Sequence, residues 1–435
     1  MTIRRELMVV WGWFLILLAL SGSAEDYVLG VYGNANMDET IDEQDIDYLK
    51  DVISGSKHAT NLTDANFDGK IDELDITQIE LMIAGENEQI TVESGNPWSD
   101  SSIVTIYKPI NTVLTRYFDS AETLRILGLT DKIIAVGSKD FQENSKFFPE
   151  LSRLPYVADT RYSEPDNEAV LGLKPDIFLG WTGEDRTKLP GITLLHSKLY
   201  GLNCTGDLEK VGYIFGKNEE IDEYIQWHDG WIKRIGEQVG AISEEKRPKV
   251  LVGLLKPGGT ISVYRGAGGT TGMDEMMSMV PMKSLGQQSP IGSMPEVDME
   301  WVIEQNPDII IIACSIAGEG KTSFSGYDLD EPSKIAQERA DFLNRTELSQ
   351  VSAVKDGRVY MMEYKLFSYS QSMLIGAAYL AKWIYPELDL NPEAIHQEYL
   401  NRYQKVDFDL NQHGVFAYPP IEVDGGLAGI PDRFI

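Results

Sequence analysis

The stretch NEAVLGLKPDIFLGW, residues 167–181, decides the fold, because it is used twice. Its echo is EWVIEQNPDIIIIAC, residues 300–314. In each copy a glutamate, Glu168 or Glu300, stands seven residues before a Pro-Asp pair. A short amphipathic run lies between them and reads as a helix that the proline stops. A run that is wholly apolar after its leading aspartate follows, residues 176–180 or 308–313, and reads as a strand buried on both faces, as in a parallel sheet. One helix–Pro-Asp–strand unit in two places predicts two similar α/β lobes. Paired lobes imply a cleft, and a cleft implies a ligand.

Around this pair the chain is long and acidic. Its 435 residues favour two or three domains, and its net charge of −30 argues against a nucleic-acid partner, which needs a basic surface. Residues 25–88 alone hold seventeen acidic side chains against three lysines. Two cysteines, Cys204 and Cys314, exclude a disulfide framework and leave one bridge or two buried thiols. The first 24 residues read as a secretory signal: Arg4 and Arg5, an apolar run over 7–20, then Gly22-Ser23-Ala24. The run is short for a hydrocarbon core of ~30 Å, and an uncleaved N-terminal anchor is the other reading. Sequons at Asn61, Asn203 and Asn344 agree with an extracytoplasmic, secreted or surface-associated protein.

The acidic stretch, residues 26–86, repeats at a spacing of 30. Residues 34–45 are NANMDETIDEQD and residues 64–75 are DANFDGKIDELD. Oxygen side chains fall at loop positions 1, 3, 5, 9 and 12 in both: Asn34, Asn36, Asp38, Asp42 and Asp45, then Asp64, Asn66, Asp68, Asp72 and Asp75. The peptide carbonyls of Thr40 and Lys70 supply position 7. This is the spacing by which a twelve-residue loop surrounds calcium, a hard cation that takes six to eight oxygens. Gly69 occupies the sharp turn at position 6, where the first loop has Glu39, so the first loop is expected to bind more weakly. Ile41 and Ile71 at position 8 are expected to pair in the core. A helix is expected after each loop, over 46–53 and 76–83, ended by Gly55 and Gly85. So small a segment has little core and is expected to need its metals to fold.

These two repeats resemble a type I dockerin. The resemblance implies a calcium-dependent module that plugs into a cohesin on another protein, with Glu43-Gln44 and Glu73-Leu74 among the recognition positions. Those two pairs differ from each other, which leaves open whether the module binds in two symmetric orientations.

Residues 89–435 alternate strand and helix, which predicts a parallel α/β sheet. A strand is expected at 90–92, a polar turn at 94–102, and a first lobe over about 100–203. A sustained helical pattern over 206–242, interrupted at Phe215-Gly216-Lys217, is expected to cross behind both lobes. A second lobe fills about 246–405, and residues 406–435 carry no legible function. The expected class is thus α/β, two parallel-sheet lobes joined by one long helix, preceded by a small all-α calcium-binding module.

Two such lobes resemble the substrate-binding proteins of ABC importers for ferric siderophores, haem and cobalamin. The resemblance implies that Glu168 and Glu300 dock the importer's membrane subunits. It implies further that aromatic residues line the cleft: Trp181 matches one by motif, and Tyr162, six residues before Glu168, matches another. Met294 stands where the cobalamin binder has an aromatic, which puts corrinoid specificity in doubt. Tyr264, Arg265, Phe367 and Tyr369 lie on loops expected to face the cleft. Aromatic faces suit a large flat chelate, and the Arg265 fork suits a carboxylate. The glycine-rich loop 266–272, with Thr270, precedes a helix and is a candidate cradle for an anionic group, although it matches neither phosphate-binding fingerprint. The rival readings are a dockerin-bearing carbohydrate-active enzyme and an adhesive surface protein. Against the first, the five histidines show no zinc spacing and no Gly-x-Ser-x-Gly is present.

Overall fold

The computed structural model describes residues 27–96, 99–180, 186–256, 259–269, 271–289, 292, 294–314, 324–367 and 371–434. The expected leader, Trp181, Thr270 and Tyr369 lie outside them.

The repeated unit forms the same way in both places. Asp166 caps the helix Asn167–Leu173 by accepting from the Glu168 and Ala169 N–H groups, and Asp298 caps Met299–Gln305 by accepting from Trp301. Each helix ends in a left-handed residue, Lys174 (φ 49°) or Asn306 (φ 45°), immediately before the proline. The aspartate of each Pro-Asp pair then pins the start of a neighbouring strand. Asp176 accepts from the Asn111 and Thr112 N–H groups and the Thr112 hydroxyl at 2.8, 2.9 and 3.0 Å. Asp308 accepts from the Lys249 N–H at 2.8 Å. Partial burial works against the Asp176 charge, but these donors and Lys132 outweigh it and hold its carboxyl below the usual range.

In the first lobe four strands are all parallel, in the order Ile133–Val136, Val113–Thr115, Ile177–Leu179, Thr193–Leu195. Side chains alternate between two buried faces: Val113, Ile177, Leu179 and Leu195 enter the main core, while Leu114, Ala135, Phe178 and Leu194 enter a smaller outer one. The second lobe departs from the expected all-parallel sheet. Its centre is parallel, with Ile309–Ala313 between Lys249–Leu255 and Val359–Met362. Its flanks are antiparallel: Ile261–Val263 runs back along Lys249–Leu255, and Ala417–Tyr418 pairs with Met361 and Met362. The C-terminal segment thus supplies an edge strand of the second lobe, Ala417–Tyr418, and then a small hairpin of its own, Ile421–Val423 with Gly426–Ala428.

The crossing pattern resolves into two helices. Thr205–Phe215 ends at Gly216 (φ 64°), and Asn218–Val239, 22 residues and ~33 Å long, starts afresh. From the longer helix, the Tyr224 hydroxyl reaches Gln371 at 2.9 Å and Trp227 stacks on Tyr399. Those contacts belong to a buried network between the lobes. Glu122 accepts from the Gln371 N–H at 2.8 Å and the Tyr399 hydroxyl at 3.0 Å, and the Gln404 amide donates to the Glu122 carbonyl.

The acidic repeats form two helices, Glu43–Ile53 and Glu73–Ala84, each starting three residues earlier than expected. Asp42 and Asp72, at loop position 9, act as N-caps, and Asp45 and Asp75 complete capping boxes. Ala35, Leu49, Ala65 and Ile79 make the small core these repeats share. The isoleucine pairing expected at position 8 is absent: Ile41 is half-buried, whereas Ile71 is 37% exposed. The polar turn expected at 94–102 is instead the middle of a hairpin, Gln89–Asn96 with Ser99–Tyr107. Serines and threonines stay in strand conformation here because backbone pairing supplies what the alternating pattern lacks.

Candidate functional site

In parallel sheets the crevice lies at the carboxyl ends of the strands. In the first lobe Arg116 and Tyr117 directly follow the strand Val113–Thr115, Gly137 follows Ile133–Val136, and Gly180 follows Ile177–Leu179. The Arg116 guanidinium, 5% exposed, donates to three carbonyl oxygens, those of Gly137, Arg161 and Ser163. Gly137 has to be glycine, since a Cβ there would lie 2.1 Å from the Arg116 carbonyl oxygen. Arg161 lies beside this knot. Its N–H donates to Asp140 at 3.1 Å, its side chain is 3.8 Å from the same carboxylate, and its guanidinium stands over the rings of Phe118, Tyr162 and Tyr364 at 5.9, 5.3 and 5.8 Å.

Tyr364 comes from the other lobe. It and Lys365 open the short helix Tyr364–Phe367, one residue beyond the strand Val359–Met362. The Lys365 amine hydrogen-bonds the Asn144 side chain of the first lobe and stands 5.0 Å from the Phe118 ring centre. Burial lowers its pKa; Glu363 opposes that shift and Arg161 adds to it. On the first-lobe side, burial pushes the Asp119 carboxyl up to about 7, with the Ser120 N–H opposing and Glu122 adding. The strand ends of the two lobes thus meet through two basic side chains, Arg161 and Lys365, interleaved with Phe118, Tyr162 and Tyr364, while Arg116 braces the first-lobe side.

This arrangement overlaps only in part with the sequence expectation. Tyr162 is at the site and 67% exposed. Phe367 closes the helix that carries Lys365. Tyr264 does not face the crevice: it is 2% exposed and belongs to the main core. The cause is strand direction. Ile261–Val263 is antiparallel to Lys249–Leu255, so the chain leaving it runs past Val252 toward the amino ends of the parallel strands. Arg265 follows it there, its carbonyl accepting from Ser284. Nor is the glycine-rich loop free for a phosphate. The chain's own Asp274 fills it, accepting from the Gly266 and Thr271 N–H groups and the Thr271 hydroxyl at 2.8, 2.9 and 2.7 Å. Sequence reasoning missed Arg116, Arg161 and Lys365, although Arg116 follows a short buried strand even more directly than Trp181 does.

Glu168 and Glu300 occupy matching stations. Both are exposed in the first turn of a seven-residue helix that precedes a parallel strand, so both lie toward the carboxyl-end side of their sheets. Each carries charge favourable to its helix dipole.

The acidic loops offer oxygen alone, the donor type a hard cation takes. Asp64 and Asn66 converge, since the Asp68 N–H reaches both side-chain oxygens at 3.1 and 2.9 Å; Asn34 and Asn36 converge on the Asp38 N–H at 3.1 and 3.0 Å. Asp45 and Asp75 are fully buried and accept from the N–H groups of Asn36 and Asp42, and of Asn66 and Asp72. Burial raises the Asp45 carboxyl to about 6 against those N–H bonds, with Asp38 and Asp42 adding. Met37 and Phe67, both at loop position 4, are left-handed (φ 61° and 58°). Gly69 is also left-handed (φ 86°), and its counterpart Glu39 is not. Among the described residues no three His, Cys, Asp or Glu side chains stand together as a metal cluster. Asparagine oxygens and peptide carbonyls make up much of each loop's donor set.

Residues 114–366 match the family of Periplasmic binding proteins, more than half of the chain. The chain belongs to that family. Members bind small ligands outside the cytoplasm and deliver them to ABC transporters. Solved structures agree on the fold of this periplasmic binding protein. The TroA-like protein FepB of Veillonella parvula is 21% identical, with 73% of this chain and 96% of that one covered and a TM-score of 0.59. The Haemophilus influenzae protein MolA, bound to molybdate, is 18% identical over 71% and 97%, with a TM-score of 0.55. A periplasmic heme binding protein of Pseudomonas aeruginosa is 19% identical over 65% and 95%, with a TM-score of 0.50. No curated protein matches the chain. No helix among the described residues is long and apolar enough to cross a membrane.

Proposed function

We propose that this periplasmic binding protein captures an anionic metal chelate, of the ferric siderophore, haem or corrinoid type, between its lobes and delivers it to an ABC importer. The observation that carries this reading is the meeting of Arg161 and Lys365 with aromatic rings at the apposed strand ends. Aromatic faces hold a flat chelate with little entropy lost, and guanidinium groups meet its carboxylates or phenolates in pairs. Trp181, next in sequence after Gly180, adds a further ring to this reading. Glu168 and Glu300 are the importer contacts, one on each lobe. The acidic module tethers the protein to a cohesin-bearing partner. Calcium, held by the oxygens of residues 34–45 and 64–75, supplies the positive charge that lets those buried carboxylates stay ionised.

The test is ligand affinity by fluorescence quenching with haem, a ferric catecholate and a corrinoid. Arg161→Ala should weaken the bound chelate roughly ten-fold or more, the worth of one charge-assisted contact. Trp181→Ala should weaken it with unchanged circular dichroism. Unaltered affinity in both variants would sink the cleft assignment.

A further inference from the structure

The acidic module does not hang from the body on a linker; it is built into it. Val31 pairs antiparallel with Val92 of the hairpin, the Tyr32 N–H donates to the Thr91 carbonyl at 2.9 Å, and the Glu93 N–H donates to Gly30 at 2.9 Å. Leu29, Val31 and Met82 share the main core with Ile90, Val92 and Ile106. The hairpin continues to the first lobe's edge strand, where Gly95 donates to His196 and His196 donates to the Ser94 hydroxyl at 3.1 and 2.9 Å.

The first loop borders a second element of the body. The Leu29 N–H donates to the Asp38 carbonyl at 3.0 Å, tying loop position 5 to the segment that pairs with the hairpin. Just upstream, the Tyr27 ring lies on Gly206, where a Cβ would come within 3.0 Å of it. The Tyr27 hydroxyl and Glu209 of the helix Thr205–Phe215 act on each other electrostatically. Asp45 is near enough to Tyr213 on that helix to act on it electrostatically, and Glu39 acts on Glu209 in the same way. Ile41 packs against the main core. The second loop meets the body more lightly, through Gln89, whose amide donates to the Asn66 carbonyl at 3.4 Å. Its Phe67, Ile71 and Leu74 remain exposed.

We propose that the module is a cation-dependent clamp on the binding body: occupancy of the first loop sets how firmly the hairpin and the helix Thr205–Phe215 are held. The physical basis is linkage. A cation that binds only the folded loop stabilises whatever must be folded with it, and here that includes body elements. Acidic groups of the two sides, Glu39 against Glu209 with Asp222 close by, repel until positive charge is supplied. The proposal rests on the calcium reading of the loops, and it differs from a free tether in placing the effect outside residues 26–86.

Hydrogen exchange on the full chain, with calcium and with a chelator, reads the effect directly. Calcium should slow exchange about ten-fold or more in Gln89–Asn96 and Thr205–Phe215. Asp38→Ala should abolish that slowing, while Asp68→Ala, in the second loop, should leave most of it. Calorimetry on the same samples separates the two ways to fail. Calcium bound with exchange in the body unchanged overturns the clamp alone. No calcium bound by the intact chain overturns the clamp together with the calcium reading.

Discussion

At the scale of single residues, carboxylates do unlike jobs according to what faces them. Asp176 meets three donors and keeps its charge; Asp119, 4% exposed with one main-chain donor, gives it up readily. Asp176→Ala removes three hydrogen bonds at the joint between two strands. It should lower stability to urea by about 1–2 kcal/mol, the low figure reflecting that the carboxyl reaches solvent. Asp119 works in the other direction. Its folded pKa, about 7, lies above the usual carboxylate value of about 3.9, so the native state holds the proton more tightly than the unfolded chain does. Its contribution is therefore complete at low pH and is lost as pH rises from about 4 through about 7. Asp119→Asn should flatten the fall of melting temperature over that window, and an unchanged slope would refute the assignment. Arg116, Arg161 and Lys365 belong to this scale too, and nothing in a one-residue pattern marks them. Each becomes significant only because Gly137, Asn144 and Tyr364 come close to it.

At the scale of elements, the repeated helix–Pro-Asp–strand unit is held by local chemistry that a reader of the sequence recovers almost whole. The caps Asp166 and Asp298, the left-handed residue before proline and the buried strand all follow from side-chain and backbone rules. Asp166→Ala and Asp298→Ala should each cost about 1 kcal/mol in urea unfolding, and nearly additively, since the helices lie in different lobes. A loss far from additive would mean that the two caps share a partner. The glycine-rich loop is the contrasting case. Its sequence offers an anion cradle, and Asp274, three residues into the helix cap, claims it. Asp274→Ala should destabilise the protein by about 1–3 kcal/mol through the orphaned N–H groups of Gly266 and Thr271, measured by thermal unfolding.

At the scale of the molecule, the two lobes, the connecting helices and the acidic module share one main core, which runs from Leu29 to Ala428. The two glutamates are the property to test here, since neither matters alone in the importer reading. Reversing the charge of Glu168 and Glu300 together should leave chelate affinity intact and abolish stimulation of importer ATPase in proteoliposomes. If stimulation survives, the pair serves only its helix dipoles. The sequence by itself determined the twin α/β lobes, the acidic repeats, and the matching stations of Glu168 and Glu300. Those features rest on hydrophobic period, capping and turn chemistry, which act between residues a few positions apart. Tertiary structure alone decided that Tyr264 and Arg265 turn away from the crevice and that Arg161 and Lys365 meet in it. It alone joined Val31 to Val92 and Tyr27 to Gly206. Strand direction and long-range pairing depend on which distant segments compete for the same edge or face, and a linear pattern does not record that competition.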